Sequence, residues 1–105
     1  MKMRIDLQYK LESILGSRNV YFQPPEYIRL HYPCIIYSLD NIKHEEANNI
    51  KYTKQKKYSV TVIFNDYDDV LHDRIINDLL DLDYCYFNRT FINENMYHYV
   101  FTLYF

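Results

Sequence analysis

The histidines and cysteines are the side chains that could bind a metal ion. The four histidines and two cysteines of the chain are His31, His44, His72, His98, Cys34 and Cys85. No two histidines stand at a metal-ligand spacing such as H-x₃-H, and neither cysteine has a nearby partner. The stretch His44-Glu45-Glu46 begins like a zinc-protease motif, but Asn48 occupies the position of the second histidine. The sequence therefore predicts no metal site.

Nucleophilic and phosphate-binding chemistry also has little support. Gly16 is the one glycine of the chain, which excludes a P-loop and a dinucleotide-binding fingerprint. No serine stands in a nucleophile elbow. Seven of the 14 acidic residues lie within residues 66–83, where a solvent-facing helix surface explains them better than a catalytic acid pair. We therefore predict that the protein is not an enzyme and needs no cofactor.

Charge is distributed unevenly along the chain. Residues 51–57 contain no acid and four lysines: Lys51, Lys54, Lys56 and Lys57. Residues 66–83 contain, against Arg74, seven acids: Asp66, Asp68, Asp69, Asp73, Asp78, Asp81 and Asp83. A head-to-tail ring would use this asymmetry, because each subunit offers a basic patch to its neighbour's acidic one. Two independent solvated faces are the alternative interpretation.

The composition indicates one domain with an unusual content of aromatic residues. The chain has 105 residues, a formal net charge of −2, and 13 tyrosines with six phenylalanines. So short a chain cannot bury all these rings in its own core, and tyrosine suits surfaces that become buried against a partner. The alternative explanation for the high tyrosine content is an AT-rich genome, in which tyrosine codons are over-used. The net charge does not favour nucleic-acid binding by the chain as a whole.

Cellular location is also constrained by the sequence. Two cysteines without a signal peptide are typical of free thiols in an intracellular protein. The N-terminus has no apolar core of a signal peptide, and no apolar run approaches the roughly 18 residues that a membrane span needs. We therefore expect no secretion by that route and no membrane contact.

The first half of the chain predicts a helix, an extended segment and a strand. Apolar residues at helical spacing lie on one stripe before Gly16, which suits a helix end: Met3, Leu7, Leu11, Ile14 and Leu15. Residues 20–22 are extended, since the prolines that follow cannot belong to a central strand. Residues 34–39 form a buried strand. Residues 40–53 are polar and without a period, and predict a long loop or arm.

The second half predicts a strand, a helix and a hairpin. Residues 54–64 alternate as a half-buried strand does. A helix follows, with Asp66 as its cap and Asp69 in the capping-box position. Its buried stripe consists of Val70, Leu71, Ile75, Leu79 and Leu82. The chain ends in two strands joined by a turn at 93–95, of which the last is apolar on both faces and therefore central or at an interface. Residues 1–105 are thus a single α+β domain: a mostly antiparallel sheet of four to five strands with two helices on one face.

The proline-rich stretch before the first buried strand predicts an interface element. Prolines fix its path, so that aromatic side chains can be presented outward at little ordering cost on association. The candidate contact residues here are Tyr21, Phe22, Gln23, Pro24, Pro25 and Tyr27. From the two charged segments we add Lys51, Tyr52, Lys54, Lys56, Lys57, Asp66, Asp69 and Asp73.

The order and pattern of these segments resemble the tail terminator proteins of long-tailed bacteriophages, also called tail completion or tail-to-head joining proteins. The likeness extends over nearly the whole chain, and its most specific parts are FQPP at 22–25, YPCIIY at 32–37 and NMYHYVFTLYF at 95–105. None of these is a catalytic motif. The loop at 40–53 departs from the family pattern, because it lacks glycine and is rich in asparagine and lysine.

The resemblance implies a structural virion protein of the tail–head neck, assembled in the host cytoplasm, with no activity and no cofactor. It implies a homo-hexameric ring that caps the tail tube protein and offers its other face to the head completion or connector protein. A contractile tail would add the sheath as a partner. DNA would pass through the ring without sequence-specific binding, and the loop at 40–53 would contact neighbours or the tube.

Two other functions remain open at this stage. Another head–tail connector component, such as a stopper or adaptor, would be a structural protein of the same kind. A small nucleic-acid-binding module of a prophage would use Lys51 to Lys57 with Tyr52 and Tyr58 as a basic and aromatic surface. The acids that follow in the chain argue against the second.

Overall fold

Two helices and five strands make up the part of the chain that the structure, a computed structural model, describes: residues 3–43 and 55–105. In chain order they are α1 (Arg4–Leu15), β1 (Val20–Phe22), β2 (Cys34–Lys43), β3 (Gln55–Phe64), α2 (Asp69–Leu80), β4 (Cys85–Asn93) and β5 (Met96–Tyr104). The strands form one sheet in the order β1-β2-β3-β5-β4. β1 and β2 are parallel, and all other neighbours are antiparallel. The predicted α+β class is confirmed.

One side of the sheet is the helix side. Alternate residues of the strands point there and pack in one cluster with the helices. The sheet contributes Val20, Ile35, Tyr37, Tyr58, Val60, Val62, Phe64, Cys85, Phe101 and Leu103. α1 contacts β1 and β2, α2 contacts β4, and the two helices contact each other. The opposite side of the sheet, which we call the open side, has no helix of the described residues on it.

α1 ends where its sequence predicts. Gly16 adopts the left-handed conformation, with φ at 84°, and its N–H donates to the Glu12 carbonyl oxygen at 2.8 Å. Arg74 of α2 completes this end, because its guanidinium donates to the carbonyl oxygens of Ile14 at 2.8 Å and Leu15 at 3.2 Å. The predicted stripe is buried except for Met3, which precedes the first helical residue and is 64% exposed.

The predicted loop at 40–53 is wrong at its start. β2 continues through Asp40 to Lys43 and pairs with the first residues of β3, with a bulge between Leu39 and Asn41. A polar segment remains extended here because its backbone hydrogen-bonds to a partner strand, which no periodicity of side chains shows. Residues 44–53, the rest of the predicted loop, lie outside the described residues.

The predicted cap of α2 is also wrong. α2 begins at Asp69, and the Asp68 carboxylate accepts hydrogen bonds from the N–H groups of Val70 at 3.0 Å and Leu71 at 3.2 Å. Asp66 lies two residues before this cap. Of the predicted stripe, Ile75 and Leu79 are buried, whereas Val70 is 80% exposed. The helix starts later than predicted, because three aspartates in four residues each offer a possible cap and the sequence does not distinguish them.

Replacement of the cap tests this assignment. We expect Asp68→Ala to lower the free energy of unfolding by about 1 kcal/mol, because two N–H groups of the first turn lose their acceptor. Asp66→Ala removes the same charge without a capping bond and is the matched control, with an expected change within about 0.5 kcal/mol. Urea denaturation followed by circular dichroism measures both. An equal loss from the two variants would contradict the assignment of Asp68.

Candidate functional site

Two aromatic residues of the proline-rich stretch lie on opposite sides of the sheet. β1 is an edge strand, as predicted, and pairs Val20 to Phe22 with Ile35 to Tyr37. Tyr21 points to the open side, where its hydroxyl accepts a hydrogen bond from the His31 N–H at 3.2 Å. Phe22 packs on the core, with its ring 5.0 Å from that of Tyr37 and the Arg4 guanidinium 4.6 Å from its centre. The prediction that Phe22 points outward is therefore wrong for most of its ring.

The prolines are held in place through Gln23. Its N–H donates to the Tyr37 carbonyl oxygen at 2.9 Å, and its side-chain oxygen accepts from the Leu39 N–H at 3.0 Å. The turn after it is closed by a bond of 3.1 Å from the Ile28 N–H to the Pro25 carbonyl oxygen. Tyr27 is 85% exposed. The stretch is thus a shaped turn fastened to β2, with Tyr27 as its outward aromatic residue.

One end of the open side is buried where β2 begins. Cys34 and Ile63 are register partners on the open side, yet both are buried. Burial, followed by the nearby Cys34 and Glu94, raises the pKa of Tyr32. The Asn19 side-chain amide donates to the Pro33 carbonyl oxygen at 3.4 Å and so fastens the segment that leads into β2.

Of the basic segment at 51–57, the structure describes only residues 55–57. Lys56 and Lys57 lie near the start of β3, and the Lys57 ammonium is 3.4 Å from the Asp40 carboxylate across the sheet. Lys51, Tyr52 and Lys54 lie outside the described residues. Tyr58, the second aromatic residue of the nucleic-acid alternative, is buried in the core. Its ring cannot stack on a base while the domain is folded.

The acidic segment lies at both ends of the sheet. Asp66 and Asp69 are exposed beyond the end of β3. At the usual rise of a strand, that end at Phe64 is about 23 Å from Lys57. Asp73 is exposed one turn into α2. α2 then runs back along the sheet, so that Asp83 precedes β4 at the end where the lysines lie. The charge separation in the sequence is therefore only partly a separation in space.

His72 sits in an aromatic cluster that the sequence did not reveal. Its ring lies 5.4 Å from Phe64, 5.1 Å from Tyr67 and 4.6 Å from Tyr99. Nδ1 is 3.1 Å from the Asp73 carboxylate, whereas Nε2 is buried without a hydrogen-bond partner among the described residues. The cluster joins the start of α2 to β3 and β5, which indicates a packing role.

The described residues do not assemble a site for metal chemistry. Within 3–43 and 55–105, no group of three histidine, cysteine or acidic side chains could hold a metal ion. A cavity of about 90 Å³ between the ends of α2 and β5 is lined in part by Lys10, Asp83 and Tyr84. Its volume is well below the roughly 300 Å³ of the smallest common ligand pockets.

β4 has more large exposed apolar side chains than any other described helix or strand, and sequence reasoning did not single it out. Along this strand Tyr86 is 54%, Phe87 46%, Phe91 37% and Ile92 66% exposed. Phe87 and Ile92 point to the helix side, and Tyr86 and Phe91 to the open side. The sequence of β4 does place apolar residues at both odd and even positions of the strand. Such a pattern usually indicates a strand that is buried on both faces. Here the strand lies at the sheet edge and remains exposed.

Neither helix, at 12 residues each, is long enough to cross a membrane, and the described residues contain no other helix that could.

Two comparisons with known proteins find no relative of this chain. The chain matches no model of a known protein family. A search of curated proteins likewise finds no match to it.

Proposed function

We propose that this chain is a structural subunit of a phage tail, which assembles as a ring on the last ring of tail-tube subunits. The ring ends tail elongation and offers its opposite face to the head connector. The chain then acts through binding alone. It contacts other copies of itself, the tube below the ring and the connector above it. The proposal includes a hexamer, which follows from the resemblance in sequence.

The observation that supports this function best is the presence of large exposed apolar side chains on separate surfaces. Tyr27 and Ile28 are exposed on the proline-rich turn, and four residues of β4 are exposed at the far edge of the sheet. A third group is exposed in the N-terminal part of the chain: Met3 before α1, and Ile5 and Tyr9 on α1. Contiguous exposed apolar surfaces mark interaction sites. A ring subunit needs several of them, because it contacts a neighbour on each side and another protein above and below.

The fold and the order of its elements also support the proposal. The resemblance implies an α+β domain with helices on one side of the sheet, and the chain has this architecture. The proline-rich turn and the β4–β5 hairpin contain the segments on which the resemblance is most specific. Both are also places where apolar side chains are exposed, as contact surfaces would be.

Assembly with the tube protein tests the function. The tube protein of the particle to which we assign this chain would be polymerised with and without the chain, and tube lengths measured by electron microscopy. We expect shorter tubes with a ring at one end, because a capped end accepts no further subunits. As the control, the chain added after polymerisation is complete should bind tube ends without changing their length.

Two results would overturn the proposal. One is a chain that remains a single copy in light scattering at all concentrations and leaves tube lengths unchanged. The other is nanomolar, salt-sensitive DNA binding in a filter assay, which would favour the nucleic-acid module.

A further inference from the structure

We infer that β4 is the seam between subunits: its outer edge pairs with the open edge of β2 in a second copy, so that the sheet continues from one subunit to the next. This inference rests on the proposed function in one respect, that copies of the chain associate. It adds which surfaces meet and by what bonds.

The backbone of β4 is paired on one side. Among the described strands its neighbour is β5 alone. The Tyr104 N–H donates to the Tyr84 carbonyl oxygen at 3.0 Å, and by the alternation of antiparallel pairs the backbone groups of Cys85 and Phe87 point away from β5. At the other end, the two-residue turn closed by Asn93 and Met96 places those of Ile92 outward in the same way. A strand added here would find donors and acceptors on both sides of the register shift between Phe87 and Arg89.

The side chains of β4 offer enough apolar area for a stable contact. The large exposed residues of the strand and of the position before it are Tyr84, Tyr86, Phe87, Phe91 and Ile92. At about 200 Å² for each fully exposed side chain, their exposed fractions amount to about 500 Å². A stable interface buries about 800 Å² on each partner. The strand backbone and its polar neighbours can supply the difference.

β4 lacks several of the features that keep edge strands apart in monomers. Such strands are commonly protected by lysine, by proline, by their shortness or by bulges. β4 has nine residues, no lysine and no proline, and its one irregularity is a register shift between Phe87 and Arg89. Its one charged residue, Arg89, lies with its guanidinium 5.2 Å from the centre of the Phe91 ring. Apart from this guanidinium and the bulge beside it, the strand is open to pairing with another copy of the chain.

The same chain provides the partner edge. β1 pairs only with Ile35 to Tyr37, so the part of β2 from Asp40 to Lys43 has no strand on that side within the described residues. This edge of β2 and the outer edge of β4 lie at the two opposite edges of one sheet. Joining β4 of one copy to β2 of the next is a head-to-tail contact that repeats from copy to copy and can close into a ring. A second copy of this chain is therefore the occupant that fits β4.

The test places a charge in the seam at little cost to folding. Ile92→Lys changes a side chain that is 66% exposed, and Val70→Lys, at 80% exposed in the first turn of α2, is the matched control. We expect analytical ultracentrifugation to show assemblies larger than a dimer for the wild type and Val70→Lys. Ile92→Lys should associate at least about tenfold more weakly. Circular dichroism checks that all three are folded.

Hydrogen exchange provides a readout that loss of an apolar contact alone would not change. In the assembled wild type, peptides that cover 85–93 should exchange more slowly than in the Ile92→Lys monomer, because the outward N–H groups of β4 are bonded. Equal exchange in the two states, an unchanged assembly of Ile92→Lys, or a wild type that stops at a dimer would overturn the seam alone. A wild type that is monomeric at all concentrations would overturn both the seam and the proposed ring.

Discussion

Phe101→Ala is expected to lower the free energy of unfolding by about 3–5 kcal/mol. Phe101 has no exposed surface and lies on the helix side of β5, opposite Val60 of β3 and 5.5 Å from the Phe87 ring. Its truncation leaves a cavity in the middle of the sheet, where strands on both sides prevent collapse. Urea denaturation at a protein concentration that keeps the chain monomeric measures the loss, because association would add apparent stability.

Phe91→Ala is the matched control for this prediction. The substitution is the same, but Phe91 lies on the open side at the sheet edge, stacked on His98 at 4.6 Å between ring centres. Loss of this pair should cost about 1 kcal/mol. Equal losses from the two variants would contradict the assignment of the core to the helix side. If β4 is the seam, Phe91→Ala should weaken association more than it weakens folding.

The second large effect is expected at alkaline pH. Burial raises the pKa of the Cys34 thiol from an ordinary value of 9.0 to about 12, and that of Cys85 to about 11. Since the folded pKa is the higher one, each neutral thiol contributes stability that is complete below pH 9. That contribution is lost as the pH rises from 9 towards 11 for Cys85 and 12 for Cys34. Each thiol should steepen the loss by up to about 1.4 kcal/mol per pH unit.

Unfolding curves between pH 8 and 11 measure this loss, and the double variant Cys34→Ala, Cys85→Ala is the control. Burial also raises the pKa of Tyr37 and Tyr58, so some alkaline loss should remain in the control above pH 10. Between pH 9 and 10, however, the control should be nearly flat while the wild type declines. Parallel curves in that interval would contradict the buried thiols. Iodoacetamide at pH 8 should accordingly react with the thiols only after unfolding.

Some elements were predictable because their causes are local. A helical stripe followed by the one glycine predicts α1 and its end, since both the 3.6-residue period and the left-handed end depend on neighbouring residues. Alternation predicts β3, whose even residues from Tyr58 to Phe64 are buried. The hairpin turn was predictable too, although it has no glycine. Its two central residues, Glu94 and Asn95, both adopt positive φ, at 52° and 63°, as a two-residue hairpin turn requires.

The errors in the predicted start and buried face of α2 arose because several neighbouring residues fit the same pattern. Three aspartates lie within four residues at the start of α2, and only the folded backbone shows that Asp68 accepts the hydrogen bonds. Val70 follows the helical period but is exposed, because it lies in the first turn, beyond the part of α2 that packs on the sheet. Local pattern predicts that a helix exists more reliably than it predicts where its ends lie.

The sequence by itself determined the fold class, because the alternating and helical patterns depend on side chains close together in the chain. It also determined that β5 has two apolar faces and that the chain has more aromatic rings than its core can hold. Tertiary structure alone decided that β5 lies between β3 and β4, that Phe22 turns inward, and that β4 is exposed at the edge. The pairing of strands distant in the chain sets the order of a sheet, and this order decides which apolar strand is covered and which is left for a partner.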